Sequence, residues 1–310
     1  MRGARRVLIF VISTLAVWVL GCAAIGVVAV EGALHLPHSA VTAAERNQAV
    51  AVADQHEADL EDVEIVATDG AVLRAWSIRA HRGNGSTAIL LHGQGDNRAG
   101  MLGPAEMLLR HGYSVLLPDA RGHGESGGAI TTYGVIEADD VRRWFQWIEN
   151  NESPQCIDGL GDSMGAAELL RSLDDERGFC AVVAESPFAS FREAAYDRLG
   201  QQFGSGSSLG RTILRPALHA GLLYARTRYG VDLAEADPAR AVADSSVPVM
   251  LIHGLADANL PARHSEMIRA ASPRAALWEP RTADHCGAST TEPLEYEKRV
   301  VAWFQEHGRR

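Results

Sequence analysis

Six short apolar runs, separated by stretches of helical periodicity, do most to limit the folds open to this chain. The runs lie at residues 87–93, 113–119, 156–162, 180–186, 247–254 and 275–280. Runs of this length that stay apolar throughout are typical of strands buried on both faces of a parallel sheet. The stretches between them predict helices at residues 99–111, 133–150, 164–173, 262–271 and 291–306. This alternation predicts an α/β fold, in which right-handed crossovers place helices on both faces of a mostly parallel central sheet.

The region before the first apolar run has a different pattern. Residues 63–70 and 71–80 alternate apolar and polar side chains around the pair Asp69-Gly70. An Asp-Gly pair between two alternating segments is a strong hairpin signal. The sheet is therefore expected to begin with an antiparallel hairpin.

The N-terminal segment carries no charged residue from Val7 to Val30, a run of 24 residues that follows Arg5 and Arg6. A helix of this length crosses about 30 Å of hydrocarbon. Basic residues before such a span favour a cytoplasmic N-terminus. The sequence therefore predicts a transmembrane anchor over residues 1–34, with the membrane as a partner and the rest of the chain outside the cytoplasm.

Two alternatives to an uncleaved anchor stay open. One is a cleaved signal peptide, although the apolar run is long for it and no A-x-A cleavage site follows. The other is a lipoprotein signal, because Val19-Leu20-Gly21-Cys22 loosely resembles a lipobox. Leu20 is unusual at its position in that motif, and the apolar run continues past Cys22, so the uncleaved anchor is preferred.

Two further segments complete the predicted organisation. Residues 35–60 are rich in Ala, Glu and Gln and contain few large apolar groups, which predicts a partly helical juxtamembrane linker. Residues 61–308 are then long enough for one domain with a single core. No internal repeat is visible.

The predicted domain contains an insertion, because residues 187–246 separate two apolar runs by more than a single crossover helix needs. Helical segments at 188–199 and 212–226 flank a Gly- and Ser-rich stretch at 204–210. This pattern predicts a helical cap with a flexible hinge. The cap leaves the sheet at a carboxyl strand end, where ligands bind in open α/β sheets. The alternative is a surface excursion with no role in substrate binding.

The pentapeptide Gly161-Asp162-Ser163-Met164-Gly165 follows an apolar run and precedes an Ala- and Leu-rich helical segment. A G-x-S-x-G motif between a strand and a helix predicts a tight turn, in which only small residues fit beside a strained serine. Ser163 would lie at a helix N-terminus, where the helix dipole favours developing negative charge. A serine hydroxyl is a poor nucleophile until a base takes its proton, so a base and an acid are expected nearby.

The candidate base and acid follow later apolar runs. His285 comes after the last run, and Asp257 comes after the run before it. Taken alone, His285 suits a surface loop and Asp257 suits a helix cap or a turn. Glu185 is a rival acid because it also ends an apolar run, and Asp284 is a weaker rival beside the histidine. The three matches in one order favour Ser163, Asp257 and His285.

Together these segments resemble the α/β-hydrolase superfamily across residues 61–308, near its serine aminopeptidase and cephalosporin-deacetylase branches. The resemblance rests on LLHGQGDN (90–97), LLPDARGHGES (116–126), GDSMG (161–165), ESPF (185–188), PVMLIHGLAD (248–257) and ADH (283–285). It implies the α/β-hydrolase fold and the chain order of nucleophile, acid and base seen above.

The same resemblance implies an oxyanion hole and an activity. Its donors would be the backbone N–H groups of Gln94 and Met164. His92 and His123 would be structural. The implied reaction is hydrolysis of a small-molecule ester, or less often an amide or peptide bond, by a serine hydrolase of carboxylesterase type. Alternatives are a peptidase or amidase, acyl transfer to an alcohol other than water, and a non-catalytic membrane-tethered binding protein.

Composition narrows the remaining possibilities. The formal net charge of −10 argues against a nucleic-acid partner. The four cysteines, Cys22, Cys156, Cys180 and Cys286, show no metal-ligand spacing, and no HExxH motif occurs. Neither a metal nor an organic cofactor is expected, because serine acyl transfer needs none.

Two cysteines begin strands that are neighbours in the fold the resemblance implies. Cys156 and Cys180 could form a disulfide outside the cytoplasm, or pack as two buried thiols; both remain open. Cys286 directly follows His285 and is assigned no role, because the triad already has a nucleophile.

Overall fold

The computed structural model of this chain describes residues 2–174, 178–202, 204 and 206–308. Met1 of the predicted anchor, together with Phe203 and Ser205 of the predicted insertion, lies outside the described residues. The chain divides into two compact units. The smaller unit contains residues 1–35 and 191–235, and the larger contains residues 36–190 and 236–310.

An eight-stranded sheet forms the centre of the larger unit in the described part of the chain. The strands are β1 (Ala58–Val66), β2 (Val72–Ala80), β3 (Ser86–Leu91), β4 (Ser114–Pro118), β5 (Cys156–Asp162), β6 (Val182–Glu185), β7 (Val249–Ile252) and β8 (Ala276–Trp278). Their spatial order is β1-β2-β4-β3-β5-β6-β7-β8. β2 pairs antiparallel with β1 and β4, and every other neighbouring pair is parallel. The predicted fold class, a mostly parallel sheet with an N-terminal antiparallel hairpin, is confirmed.

Helices cover both faces of this sheet. Numbered along the chain, the helices are α1 (Arg2–Leu34), α2 (Ala43–Gln55), α3 (Leu102–Arg110), α4 (Glu137–Asn151), α5 (Met164–Arg171), α6 (Phe191–Gln201), α7 (Gly206–Arg211), α8 (Arg215–Tyr229), α9 (Pro238–Asp244), α10 (Arg263–Ala271), α11 (Ala288–Thr291) and α12 (Pro293–His307). Ala88 and Leu90 of β3 pack into a core with Phe304 of α12, whereas Ile89 of the same strand packs with Trp144 of α4. Successive side chains of a strand point to opposite faces, so a strand covered on both faces must be apolar throughout.

The sheet begins earlier than the sequence pattern indicated, inside the predicted linker at 35–60. A capping box starts α2, in which the side chains of Thr42 and Glu45 bond each other's backbone N–H groups. β1 then begins at Ala58. The strand was hidden because its acidic residues, such as Glu61 and Asp62, lie on its exposed positions.

In the described part of the smaller unit, the insertion forms three helices, α6 to α8, and a 3-10 turn at Leu233–Glu235. α9 belongs to the larger unit, so the compact insertion is narrower than the predicted range 187–246. The prediction of a flexible hinge at 204–210 is wrong for residues 206–210, because α7 occupies them. A side chain at Gly210 would place its Cβ 2.2 Å from the carbonyl oxygen of Tyr196. Here small residues allow close packing rather than flexibility.

The same unit pairs α8 with the C-terminal part of α1. Cys22, Gly26 and Val30 form a buried seam with a four-residue spacing along α1. A Cβ added at Gly26 would lie 2.0 Å from the carbonyl oxygen of Ala217, and one at Gly221 would lie 2.7 Å from that of Gly26. Small residues at such a crossing let two helix backbones approach closely, as in membrane helix pairs.

A disulfide joins Cys156, the first residue of β5, to Cys180, just before β6. Their Cα atoms are 5.9 Å apart, and both residues are buried. Of the two states left open for these cysteines, the structure contains the bridge.

Removing this bridge should lower stability. Because the disulfide closes a loop over a sequence separation of 24, the double variant Cys156→Ala/Cys180→Ala should lose about 3 kcal/mol in its free energy of unfolding, by loop-closure entropy. Thermal melting of the full chain, with and without dithiothreitol, measures the effect. Reductant should lower the Tm of the wild type and leave that of the double variant unchanged. Equal Tm values for all four samples would contradict the prediction.

Candidate active site

Ser163 lies in the turn between β5 and α5, with φ of 53° and ψ of −108°. A non-glycine residue with positive φ is strained unless its surroundings hold it. Close packing holds this one. A Cβ at Gly161 would lie 2.7 Å from the backbone of Gly165, and one at Gly165 would lie 2.4 Å from the carbonyl oxygen of Leu91. Both glycines of the G-x-S-x-G motif are therefore required by space.

The structure brings together the three residues that the sequence analysis selected. The Ser163 hydroxyl is 2.8 Å from Nε2 of His285 and can donate its hydrogen to that nitrogen. Nδ1 of His285 is 2.7 Å from Oδ2 of Asp257 and can donate to it. Both contacts are within normal hydrogen-bond length. The arrangement can move a proton from the serine to the imidazole while the carboxylate fixes the ring.

Asp257 is held as an anion. Its Oδ1 accepts hydrogen bonds from the backbone N–H groups of Asn259 and Leu260, at 2.9 and 2.8 Å. Oδ2 lies 3.3 Å from Nε2 of the buried His253. Burial alone would raise the pKa of Asp257, but the hydrogen bonds from His253, His285 and Leu260 outweigh it and hold that pKa well below its usual range. The Asp257 carboxylate is therefore charged over the pH range in which His285 can act as a base.

The end of β6 holds the loop that carries His285. Oε1 of Glu185 accepts a hydrogen bond from the N–H of Ala288 at 2.9 Å. The hydroxyl oxygen of Ser186 accepts one from the N–H of Cys286 at 3.2 Å. Ser186 and Cys286 both have positive φ, 49° and 52°. Glu185, the rival acid, therefore contacts the backbone of the histidine loop rather than the ring.

The sequence analysis assigned no supporting role in the site to Ser186 or His253. Ser186 lies in the ESPF segment that carries the resemblance, but nothing in that segment indicates a bond to the histidine loop. His253 was visible as the histidine that follows β7, but its contact with Asp257 depends on the turn between them. Asp284, the weaker rival acid, is exposed to solvent.

Two carboxyl groups lie directly behind the serine turn. Asp162 of β5 stands opposite Glu185 of β6 in the sheet register. Burial raises the pKa of both groups above the usual range, and repulsion from the Glu185 carboxylate raises that of Asp162 further. Oδ1 of Asp162 has no hydrogen-bond partner among the described residues. Charging both carboxyl groups behind Ser163 at once is therefore unfavourable.

The two backbone amides expected to form an oxyanion hole belong to residues on either side of the Ser163 turn. Met164 is the first residue of α5. Gln94 follows Gly93, whose added Cβ would be 3.7 Å from Cβ of Ser163. Within the described part of the chain, neither N–H donates a hydrogen bond. Both are therefore available to a bound oxygen.

His92 and His123 support the site from behind. Nε2 of His92 accepts a hydrogen bond from the N–H of Ala120 at 3.1 Å, and Nδ1 lies 2.8 Å from the carbonyl of Gly93. Burial lowers the pKa of His92 to about 4, so this ring is neutral at physiological pH. The two imidazoles pack 5.4 Å apart. The His92 ring links two backbone segments, whereas Nδ1 of His123 lies 3.0 Å from the carbonyl oxygen of Arg121.

No group of three or more His, Cys, Asp or Glu side chains that could hold a metal ion occurs among the described residues.

Comparison with known proteins adds to this geometry. The sequence model described as "Alpha/beta hydrolase family" matches residues 88–300. The uncharacterized protein YqkD of Bacillus subtilis (strain 168) is 29% identical over 220 residues, which cover 69% of this chain and 70% of YqkD.

Solved structures with a similar backbone include an esterase and a peptidase. One crystal form of the Pyrococcus furiosus esterase Pf2001 superposes with a TM-score of 0.68 at 24% identity and covers 88% of this chain and 98% of the esterase. A second form gives 0.64 at 26% identity, with 82% and 93% covered. The Pyrococcus horikoshii acylaminoacyl peptidase gives 0.60 at 14% identity and covers 81% of this chain but 42% of the peptidase.

The buried Glu185 should make stability fall as the pH rises. Burial raises the pKa of Glu185 from its ordinary 4.5 to about 7. A raised folded-state pKa contributes stability below pH 4.5 that is lost as the pH climbs towards 7, because the unfolded chain releases the proton first. Glu185→Gln keeps an oxygen for the Ala288 N–H without the titration, so its Tm should exceed that of the wild type more at pH 8 than at pH 5.

Thermal melts of both proteins across this pH range provide the measurement. The matched control is Asp284→Asn, which removes an exposed carboxyl next to the same loop. That variant should follow the wild-type profile. A Glu185→Gln profile parallel to the wild type at every pH would show that Glu185 is ionised in the folded protein.

Proposed function

We propose that this chain, which belongs to the alpha/beta hydrolase family, is a serine hydrolase that cleaves carboxylic esters. The observation that carries the proposal is the continuous set of hydrogen bonds from the Ser163 hydroxyl through His285 to Asp257. Such a set occurs where an imidazole serves as general base to a nucleophilic serine.

In the first step, Oγ of Ser163 attacks the carbonyl carbon of the ester. The hydroxyl proton passes to Nε2 of His285, and Asp257 stabilises the imidazolium and keeps its orientation. The N–H groups of Gln94 and Met164 hold the oxyanion, each worth about 3 kcal/mol in the transition state. His285 then returns the proton to the departing alkoxide, which leaves as an alcohol.

In the second step, water replaces the alcohol. His285 takes a proton from the water, whose oxygen attacks the acyl carbon. The bond to Oγ breaks, the proton returns to Ser163, and the carboxylic acid is released. Every proton moves between groups that the chain or the substrate supplies.

The choice of ester over amide rests on the similarity to the Pf2001 esterase at 26% identity. The acylaminoacyl peptidase, at 14% identity, shares the fold alone. Amide cleavage uses the same groups but must protonate a poorer leaving group. Comparing turnover of an ester with that of an anilide distinguishes the two activities.

The proposal includes a membrane anchor. α1 contains the candidate span Gly3–Leu34, whose most apolar 18-residue stretch has a mean hydropathy of 2.5 and is 6% buried. Arg5 and Arg6 before the span favour a cytoplasmic N-terminus. The bridge between Cys156 and Cys180 suits an oxidising compartment for the hydrolase unit.

The packing of α1 favours an uncleaved anchor over the two alternatives. Cys22, the residue that a lipoprotein would acylate, is 3% exposed. Its sulfur lies 3.9 Å from the carbonyl oxygen of Ile213. Cleavage after Val30 would remove the seam on which α8 packs.

Replacing the nucleophile should abolish the activity. The full chain in detergent should hydrolyse p-nitrophenyl butyrate and react with a fluorophosphonate probe. Ser163→Ala should lose the probe reaction and at least about 10³-fold in kcat, because among the described residues Ser163 supplies the only hydroxyl hydrogen-bonded to His285. Ser208→Ala, which truncates an exposed serine, is the control and should keep both properties. A folded wild type that does neither would favour a non-catalytic binding protein, and faster turnover of a p-nitroanilide than of the ester would favour an amidase.

Replacing the orienting carboxylate should impair catalysis without unfolding the chain. In Asp257→Asn the side chain keeps its shape but holds the wrong histidine tautomer, so kcat for p-nitrophenyl butyrate should fall by about 10⁴-fold. Glu185→Gln is the matched comparison and should stay within about tenfold of the wild type. If the losses are reversed between these two variants, with Tm values preserved, Glu185 is the catalytic acid.

A further inference from the structure

The smaller unit places part of the insertion beside the membrane-spanning helix. From Val7 to Gly21, α1 is exposed on all sides. From Cys22 onwards, every fourth residue is buried, and the contacts of Cys22, Gly26 and Val30 include α8. The N-terminal part of α1 is therefore exposed on all sides, and its C-terminal part packs against the insertion.

Helix length shows that this pairing begins within the hydrocarbon. At 1.5 Å per residue, the 15 bare residues from Val7 to Gly21 extend about 22 Å. The hydrocarbon core is about 30 Å thick and needs about 20 residues. If Arg5 and Arg6 mark one interface, the other lies near Gly26, so Cys22 is about 6 Å inside the hydrocarbon.

α8 runs parallel to α1, with its N-terminal end deepest. Cys22 contacts Ile213, just before α8, whereas Gly26 contacts Ala217 and Gly221. Further along, Oε1 of Glu31 accepts hydrogen bonds from the hydroxyls of Tyr224 and Tyr229, at 2.6 and 2.7 Å. The turn between α7 and α8 thus lies at the depth of Cys22, and the tyrosines lie at the level of the interface.

We propose that this turn and the exposed side of α8 are a membrane-contacting surface, whose occupant is the phospholipid of the leaflet on the hydrolase side. Ile213 is 57% exposed and Leu223 is 63% exposed. Large apolar side chains this exposed, continuous with a membrane span, gain free energy by burial in lipid. The proposal rests on the anchor proposed above and extends it to a second segment of the chain.

Three backbone N–H groups of the turn are paired, which lowers the cost of entering hydrocarbon, where unpaired polar groups are costly. The N–H of Leu214 donates to the carbonyl of Leu209 at 3.0 Å, and that of Arg215 donates to Thr212 at 3.3 Å. The N–H of Ala217 donates to Leu214 at 2.9 Å. These groups at the start of α8 need no water as a partner.

The polar residues around the turn suit an interface. Arg215 is exposed two residues after Ile213, and Arg211, exposed two residues before it, forms an ion pair with Glu193. Arginine extends its apolar stem through lipid and places its guanidinium among phosphates. Tyr224 and Tyr229 stand near the proposed boundary, where tyrosines are enriched in membrane proteins. Phosphate-bearing lipid therefore complements both the apolar tip and the charges beside it.

Photo-crosslinking in a bilayer tests the surface directly. The photoreactive residue p-benzoylphenylalanine replaces Ile213 in the full chain, which is reconstituted into vesicles of phosphatidylcholine and phosphatidylglycerol and irradiated. Mass spectrometry then measures lipid adducts. Matched positions are Leu20 of α1, 69% exposed, and Leu294 of the larger unit, 84% exposed. Position 213 should give at least half the lipid adduct of position 20 and at least fivefold that of position 294.

Each other outcome overturns the proposal in a distinguishable way. A lipid adduct at position 20, with position 213 no higher than position 294, keeps the anchor and rejects the surface. No adduct at position 20 rejects the anchor and the surface together. Crosslinks from position 213 to a second copy of the chain assign the surface to protein instead. If the variant at 213 does not fold, judged by its Tm, the variant at Leu223 is measured by the same criteria.

Discussion

Close packing of the Gly165 backbone against the carbonyl groups of Leu91 and His92 joins β5, α5 and the loop after β3 with no room for a side chain. Because of this contact, the turn at Ser163 cannot relax to an ordinary backbone conformation. The same contact brings the Gly93–Gln94 loop beside the serine, so one packing constraint positions both the hydroxyl and the amides around it. The site therefore depends on the missing side chain at Gly165 as much as on its polar groups.

Behind that turn, carboxyl groups removed from water lower the stability of the fold but position the loop that carries His285. Asp162 is half-buried beside the fully buried Glu185, and removal from water disfavours the charged forms of both carboxyl groups. In return, Glu185 fixes the loop of His285 through the N–H of Ala288. Positive φ angles at Ser163, Ser186 and Cys286 surround the same region. Such concentration of strain and buried polarity in one place is usual at functional sites.

Much of the fold could be predicted because strands buried on both faces are largely apolar, as residues 88–91 of β3 are. The candidate triad could be predicted because Ser163, Asp257 and His285 follow strands, and parallel strands end at one edge. The rest depends on contacts between distant segments. The start of β1, before the predicted first residue 63, was missed because its acidic residues face solvent. α7 was missed because glycine suits close packing as well as flexibility. The role of Glu185 and the pairing of Gly26 with Gly221 depend on which strands and helices become neighbours in space.

The interleaving of the two units has a consequence for biosynthesis. α1 is made first, but its contact with α8 spans a sequence separation of 191 residues between Cys22 and Ile213. During that interval most of the central sheet is synthesised, while β7 and β8, which carry Asp257 and His285 at their ends, are still to come. Contacts so distant in sequence form slowly, and domains generally fold as units. Neither unit is continuous along the chain, so each must wait, with its apolar faces incomplete, for part of the other to leave the ribosome.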